Sequence, residues 1–108
     1  MDPQGNLFAD VPPHLPAELF QTLWRTPHLK LERIVSRGHA TPPGQWYDQE
    51  TDEWVVLLKG SAELRVAGQE GIINLKPGDY LLLPARVRHR VESTAAGEET
   101  VWLAIHVH

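Results

Sequence analysis

The stretch Trp46-Tyr47-Asp48-Gln49-Glu50-Thr51-Asp52-Glu53 runs directly into the apolar segment Trp54-Val55-Val56-Leu57-Leu58, and six residues separate Glu53 from Gly60. A second segment has a matching build. Gly78-Asp79 is followed after four residues by Pro84, and His89 stands five positions beyond that proline. An acidic residue leading one strand, a glycine turn, then a proline and a single histidine leading another strand is the layout of a small β-barrel. A metal or ligand site would sit in its mouth.

Outward from these segments the chain reads as strands. Trp54 to Leu58 is apolar on both faces, which predicts a strand covered on both sides, by an N-terminal arm or by a partner subunit. Lys59-Gly60-Ser61 turns the chain. Ala62, Leu64 and Val66 then alternate with Glu63, Arg65 and Ala67, the pattern of a half-buried strand. A turn over 67–71 leads to a short strand ending at Leu75. In Lys76-Pro77-Gly78-Asp79 the proline presets one turn position and the glycine accepts positive φ at the next. Tyr80 to Leu83 is a strand stopped by Pro84. Val87, His89 and Val91 alternate with Arg86, Arg88 and Arg90, and Val101 to His108 is a final apolar strand after a polar turn. Upstream, Leu29, Leu31 and Arg33 alternate with Lys30, Glu32 and Ile34, and a loop with Pro42 and Pro43 follows. Many short strands joined by Gly/Pro turns predict an all-β sandwich or barrel over 29–108.

Residues 1–28 differ from the rest. Pro3, Pro12, Pro13, Pro16 and Pro27 interrupt regular structure. Between them Leu19, Phe20, Leu23 and Trp24 form an apolar stripe at helical spacing that Pro16 would start. The expectation is an arm with one short helix, packed on the outside of the barrel.

Composition narrows the classes. The 108 residues make a single domain. With no cysteine, disulfides, thiolate catalysis and cysteine-based zinc sites are excluded. A net charge of −4 argues against nucleic acid as a partner. No apolar run approaches the ~20 residues needed to cross a bilayer. The first residues, Met-Asp-Pro-Gln-Gly-Asn, lack the basic and apolar regions of a signal peptide, so the expected location is the cytoplasm.

With both half-motifs in place, the chain resembles the cupins, small double-stranded β-helix or jelly-roll barrels, over roughly residues 30 to 107. The family's first motif runs Gly, five residues, His-x-His, three or four residues, Glu, six residues, Gly, and Glu53 and Gly60 match its second half. The second runs Gly, five residues, Pro-x-Gly, two residues, His, three residues, Asn, and Gly78, Pro84 and His89 match it. The departures are specific. With four residues before Glu53 the His-x-His slots hold Trp46 and Asp48; with three they hold Tyr47 and Gln49. Arg86 takes a glycine slot and Ser93 the asparagine slot.

The resemblance implies a divalent metal such as Fe, Mn, Ni or Zn in the barrel mouth. The arginine alternation supports His89 as an inward residue, since solvent is the natural environment for Arg86, Arg88 and Arg90. A metal set of Asp48, Glu53 and His89 fits the first register, which a carboxylate ligand favours; Gln49 replaces Asp48 in the second. His106, from the His106-x-His108 pair, is a further nitrogen ligand if the last strand turns that face inward. His14, His28 and His39 fall in arm or loop segments and are expected in solvent. Trp46, Tyr47 and Trp102 are candidate walls of a small-molecule pocket. The metal would act as a Lewis acid in an oxygenase, isomerase or lyase reaction. The missing His-x-His motivates the alternative, a metal-free module that binds a small ligand. Cupin-like barrels often pair, so a homodimer is expected.

Overall fold

In the computed structural model, which describes residues 3–108, the chain forms strands β1 (Leu19–Arg25), β2 (Leu29–Ser36), β3 (Asp52–Lys59), β4 (Ala62–Val66), β5 (Ile73–Leu75), β6 (Tyr80–Leu83), β7 (His89–Thr94) and β8 (Thr100–Val107). A five-stranded antiparallel sheet has the order β1-β2-β8-β3-β6, and a three-stranded one the order β5-β4-β7. The last strand thus returns to lie between β2 and β3, the crossed connection that closes a jelly roll. Val55, Leu57, Leu64, Leu83, Trp102 and Ala104 are central to the core between the sheets.

Strand β3 shows how the sequence positions the site. Its period of two turns Glu53, Val55 and Leu57 into the barrel, where all three are buried, and leaves Trp54, Val56 and Leu58 half-buried outside. The outer cover is not the strand contributed by the arm, because β1 lies at the far edge of the sheet with β2 and β8 between it and β3. Trp54 instead packs on Tyr80, ring centroids 5.5 Å apart. Gly60, which ends this strand's turn, has a φ of 88°, and a Cβ there would lie 2.7 Å from Thr100 Cα. Only glycine lets the turn close against β8.

The N-terminal helix does not form; among the described residues there is no helix. The segment assigned to it is β1, paired antiparallel with β2 from Leu19↔Val35 to Arg25↔Lys30, with an irregularity between Thr22 and Trp24. Two physical reasons account for the difference. A helix confined between Pro16 and Pro27 is too short to hold itself in water. The edge of β2 offers unpaired backbone donors and acceptors that an added strand satisfies, and Phe, Thr, Leu and Trp suit a strand. Upstream of β1 the arm lies against the outside of the sheet. The buried Arg33 donates to the carbonyls of Leu7 (3.1 Å) and Ala9 (2.6 Å) and to Gln21 Oε1 (2.6 Å), partners a buried guanidinium requires.

His39, expected in solvent, is half-buried. Its Nδ1 accepts from the Arg37 amide at 2.9 Å and its Nε2 donates to the Leu15 carbonyl at 3.0 Å, so it ties arm to barrel. His14 and His28 are exposed. No helix among the described residues is long and apolar enough to cross a membrane.

Candidate functional site

The inner face of the five-stranded sheet brings three titratable side chains together. Glu53 on β3 stands directly opposite His106 on β8. On one face of a sheet, opposite and diagonal residues are the ones that touch. Glu32 on β2 is opposite Ala104, which places it diagonally from His106, with Oε1 3.1 Å from His106 Nε2. His106 Nε2 also lies 4.0 Å from Glu53 Oε2. All three residues are buried. A carboxylate accepts, so His106 carries its proton on Nε2. Burial alone pushes the Glu32 carboxyl up, but the His106 hydrogen bond and the Lys30 charge, 3.5 Å away, outweigh it and hold it below the ordinary glutamate range.

The fourth group comes from the other sheet. His89 opens β7, buried, with Nε2 3.8 Å from Glu53 Oε1. Its position is set by an isolated bridge to Tyr47: the Tyr47 amide donates to the His89 carbonyl at 2.7 Å, and the His89 amide donates back at 3.1 Å. The two rings stack with centroids 5.5 Å apart. His89 Nδ1 faces the Val87 carbonyl at 3.4 Å. A carbonyl only accepts, so in this arrangement Nδ1 carries the proton and Nε2 presents a lone pair. Opposite it, Glu53 Oε1 is buried without a hydrogen-bond partner. With His89 in that tautomer, two acceptors face each other with no donor between them. Buried Trp102 Nε1 has the complementary lack, a donor with no acceptor.

Glu32, Glu53, His89 and His106 border a cavity of about 70 Å³. Tyr47, Gln49 and Trp102 also line it, as do Glu18 and Phe20 from the arm side. Tyr47 and Gln49 face the cavity and Trp46 and Asp48 do not, which is the geometry of the register with three residues before Glu53. Of the residues singled out in the sequence, Gln49, Glu53, His89, His106, Tyr47 and Trp102 are brought together. Asp48 is not: its half-exposed carboxylate lies 3.3 Å from Arg86 Nη1. Trp46 stands outside, with the guanidinium groups of Arg88 and Arg90 5.8 and 6.0 Å from its ring. The arginine row is more than a solvated face. Arg90 donates to the carbonyls of Thr41, Pro42 and Gln45, holding the loop that delivers Tyr47. Arg86, in a glycine slot of the motif, has a φ of 66°, the left-handed conformation that glycine adopts without cost.

Glu32, Glu18 and Phe20 were missed by the sequence reading. A signal for Glu32 was present, because the alternation puts it on the same face as Ile34. For Glu18 and Phe20 there was none once the segment was read as helical. Burial, and then the charges of Glu18, Glu53 and Glu32, raise the Tyr47 phenol above its ordinary value, so it stays protonated.

Comparison with known proteins places this geometry in a family. The chain is 52% identical to a candidate mannose-6-phosphate isomerase from Ralstonia eutropha JMP134, with 96% of each chain covered and a TM-score of 0.94. A cupin superfamily protein from Desulfitobacterium hafniense DCB-2 matches at 17% identity, 90% and 83% coverage and a TM-score of 0.73. A protein from Thermus thermophilus matches at 17% identity, 96% and 95% coverage and a TM-score of 0.76. These last two support the fold alone. A search of curated proteins returned no match. The family model described as a cupin domain matches residues 34–106, which is most of the barrel and both half-motifs. The chain belongs to the cupin family.

Proposed function

We propose that this cupin binds a small polar molecule in the barrel cavity and moves a proton on it, with Glu53 as the base. The observation that carries the reading is the unpartnered Glu53 Oε1, buried 3.8 Å from His89 Nε2. A buried carboxylate oxygen without a donor is poised to accept one from a ligand. On a compound with a hydroxyl beside a carbonyl, Glu53 would take the proton from the carbon between them and return it to the neighbouring carbon. The Trp102 indole N–H would hold one oxygen of the substrate, and His89 would accept the hydroxyl proton and hand it to the other oxygen. The net change is an isomerisation that needs no redox partner. The name of the Ralstonia relative, a candidate isomerase, supports that class.

The test is solvent-deuterium exchange. A panel of hydroxycarbonyl compounds, phosphorylated and unphosphorylated, is incubated with the protein in D₂O and followed by NMR. Deuterium is expected at the carbon beside the carbonyl of at least one member, with the rate falling about 100-fold in Glu53→Gln. No incorporation into any member would sink the proton-transfer reading.

A second reading rests on the same unpaired oxygen, which is where a cation would bind. Imidazole nitrogens and carboxylate oxygens are the donor class of Mn²⁺, Fe²⁺, Ni²⁺ or Zn²⁺. Glu53, His89 and His106 would hold the ion, which would supply Lewis-acid polarisation of a carbonyl. The donors suit such an ion in kind. Their spacing does not form a ready centre: among the described residues no three such groups are set as a metal site, so Glu53 must close on the ion. Elemental analysis of untagged protein decides this reading. Near-stoichiometric metal, lost in both Glu53→Ala and His89→Ala, supports it; none after reconstitution rejects it.

A further inference from the structure

The charges around the cavity say which molecules it admits. Three carboxylates, Glu18, Glu32 and Glu53, line it, and no lysine or arginine does. Lys30, 3.5 Å from Glu32, is the one such cation that the ion pairs of the described residues bring to these carboxylates, and it does not reach the lining. Arg86, Arg88 and Arg90 are turned to the loop around Trp46 and Asp48. A phosphate ester carries nearly two negative charges at neutral pH. It would meet like charge on several sides in a buried site where screening is weak. Two of the lining residues carry a buried atom without a partner, the acceptor Glu53 Oε1 and the donor Trp102 Nε1. They ask for a ligand with one hydroxyl donor and one oxygen acceptor. The cavity of about 70 Å³ is several times the ~10–15 Å³ that one water needs on the same measure, so a small organic molecule fits.

We infer that the substrate class of this site is a neutral, unphosphorylated hydroxycarbonyl or polyol, and that Glu18 helps to exclude the phosphorylated forms. This inference rests on the reading that the cavity is the substrate site. Glu18 is placed for the role. It comes from the arm just before β1, and its Oε2 accepts from Ser36 Oγ at 2.7 Å, which fixes its charge at the cavity wall.

Binding is measured without turnover. The indole N–H resonance of Trp102 is followed by ¹H–¹⁵N NMR while glycerol, and separately glycerol 1-phosphate, is titrated into the intact protein. Glycerol is expected to shift the resonance, with the phosphate ester binding at least about tenfold more weakly. Glu18→Gln is expected to narrow that gap at least about threefold while leaving glycerol affinity within about twofold. Equal or tighter binding of the ester overturns the inference, and so does the absence of any shift with glycerol. An unchanged gap in Glu18→Gln removes Glu18 from it. Failure here and failure of the proposed function are separable. Glycerol selectivity without deuterium exchange removes proton transfer and keeps the ligand class. Exchange into phosphorylated compounds alone does the reverse.

Discussion

Two carboxylate–imidazole pairs share the cavity, and they are built differently. Glu32 and His106 sit on adjacent strands of one sheet and are closed at 3.1 Å. Glu53 and His89 come from opposite sheets and stop 3.8 Å apart, with Glu53 Oε1 unpartnered. The closed pair satisfies its own hydrogen-bonding needs and so belongs to the structure's stability. The open pair costs stability as it stands and recovers it when something donates between the two acceptors. A charge-assisted hydrogen bond is worth about 1.5–3 kcal/mol, whereas an unsatisfied buried group is a cost of similar size. Under the proposed function that difference gives the pairs separate roles: one holds the sheet, the other receives the ligand.

The sharpest way to break the comparison is to make the same substitution in each pair. Glu53→Gln is expected to lower exchange activity about 100-fold without lowering the unfolding free energy, because its side chain makes no hydrogen bond to lose. Glu32→Gln is expected to cost about 1 kcal/mol of stability as a charged acceptor becomes neutral, with a much smaller effect on activity. Chemical denaturation and the deuterium assay read both. Equal stability losses in the two variants would remove the distinction.

A pH series sharpens it. The Glu32 carboxyl lies below the ordinary range in the folded chain, so the unfolded chain binds more protons in the window between the two values. The stability it contributes is therefore complete above the ordinary glutamate pKa of about 4.3 and is lost as pH falls through the lower folded value. The difference in unfolding free energy between wild type and Glu32→Gln should shrink over that acidic window. A difference that stays constant would contradict the closed pair.

Smaller effects test how the open pair is held. Tyr47→Ala removes the ring stacked on His89 and should weaken glycerol binding roughly two- to tenfold, the worth of an aromatic contact. Tyr47→Phe keeps the stack and should leave binding unchanged. The smallest effect is expected at Arg86. Arg86→Gly relieves a left-handed residue but loses the pairs with Asp48 and Glu50. The two terms oppose each other, and the unfolding free energy should stay within about 1 kcal/mol of wild type.

The open pair was legible in the sequence and the closed one only half so. Glu53 and His89 each lead a strand after a turn signal, so motif spacing and period-two alternation found both. His106 was legible only as a conditional ligand, because the facing of the last strand depends on its neighbours. Glu32 depends on register: nothing in Leu29–Ser36 says that it will lie diagonally from a residue 74 positions away. The arm was misread for a related reason. Leu19, Phe20, Leu23 and Trp24 fit a helical stripe locally, and the unpaired edge of β2 that made them a strand is a tertiary fact. The choice between Asp48 and Gln49 had the same origin. It follows from the backbone bridge between Tyr47 and His89, which spacing alone does not specify.

The central claim, one closed pair and one open, is tested most directly by ¹⁵N NMR of the imidazole rings during a glycerol titration. The account predicts that free His106 is protonated on Nε2 and free His89 on Nδ1, and that glycerol moves the His89 Nε2 resonance while leaving His106 in place. Resonances that move at His106 and not at His89, or a free His89 protonated on Nε2, would contradict it.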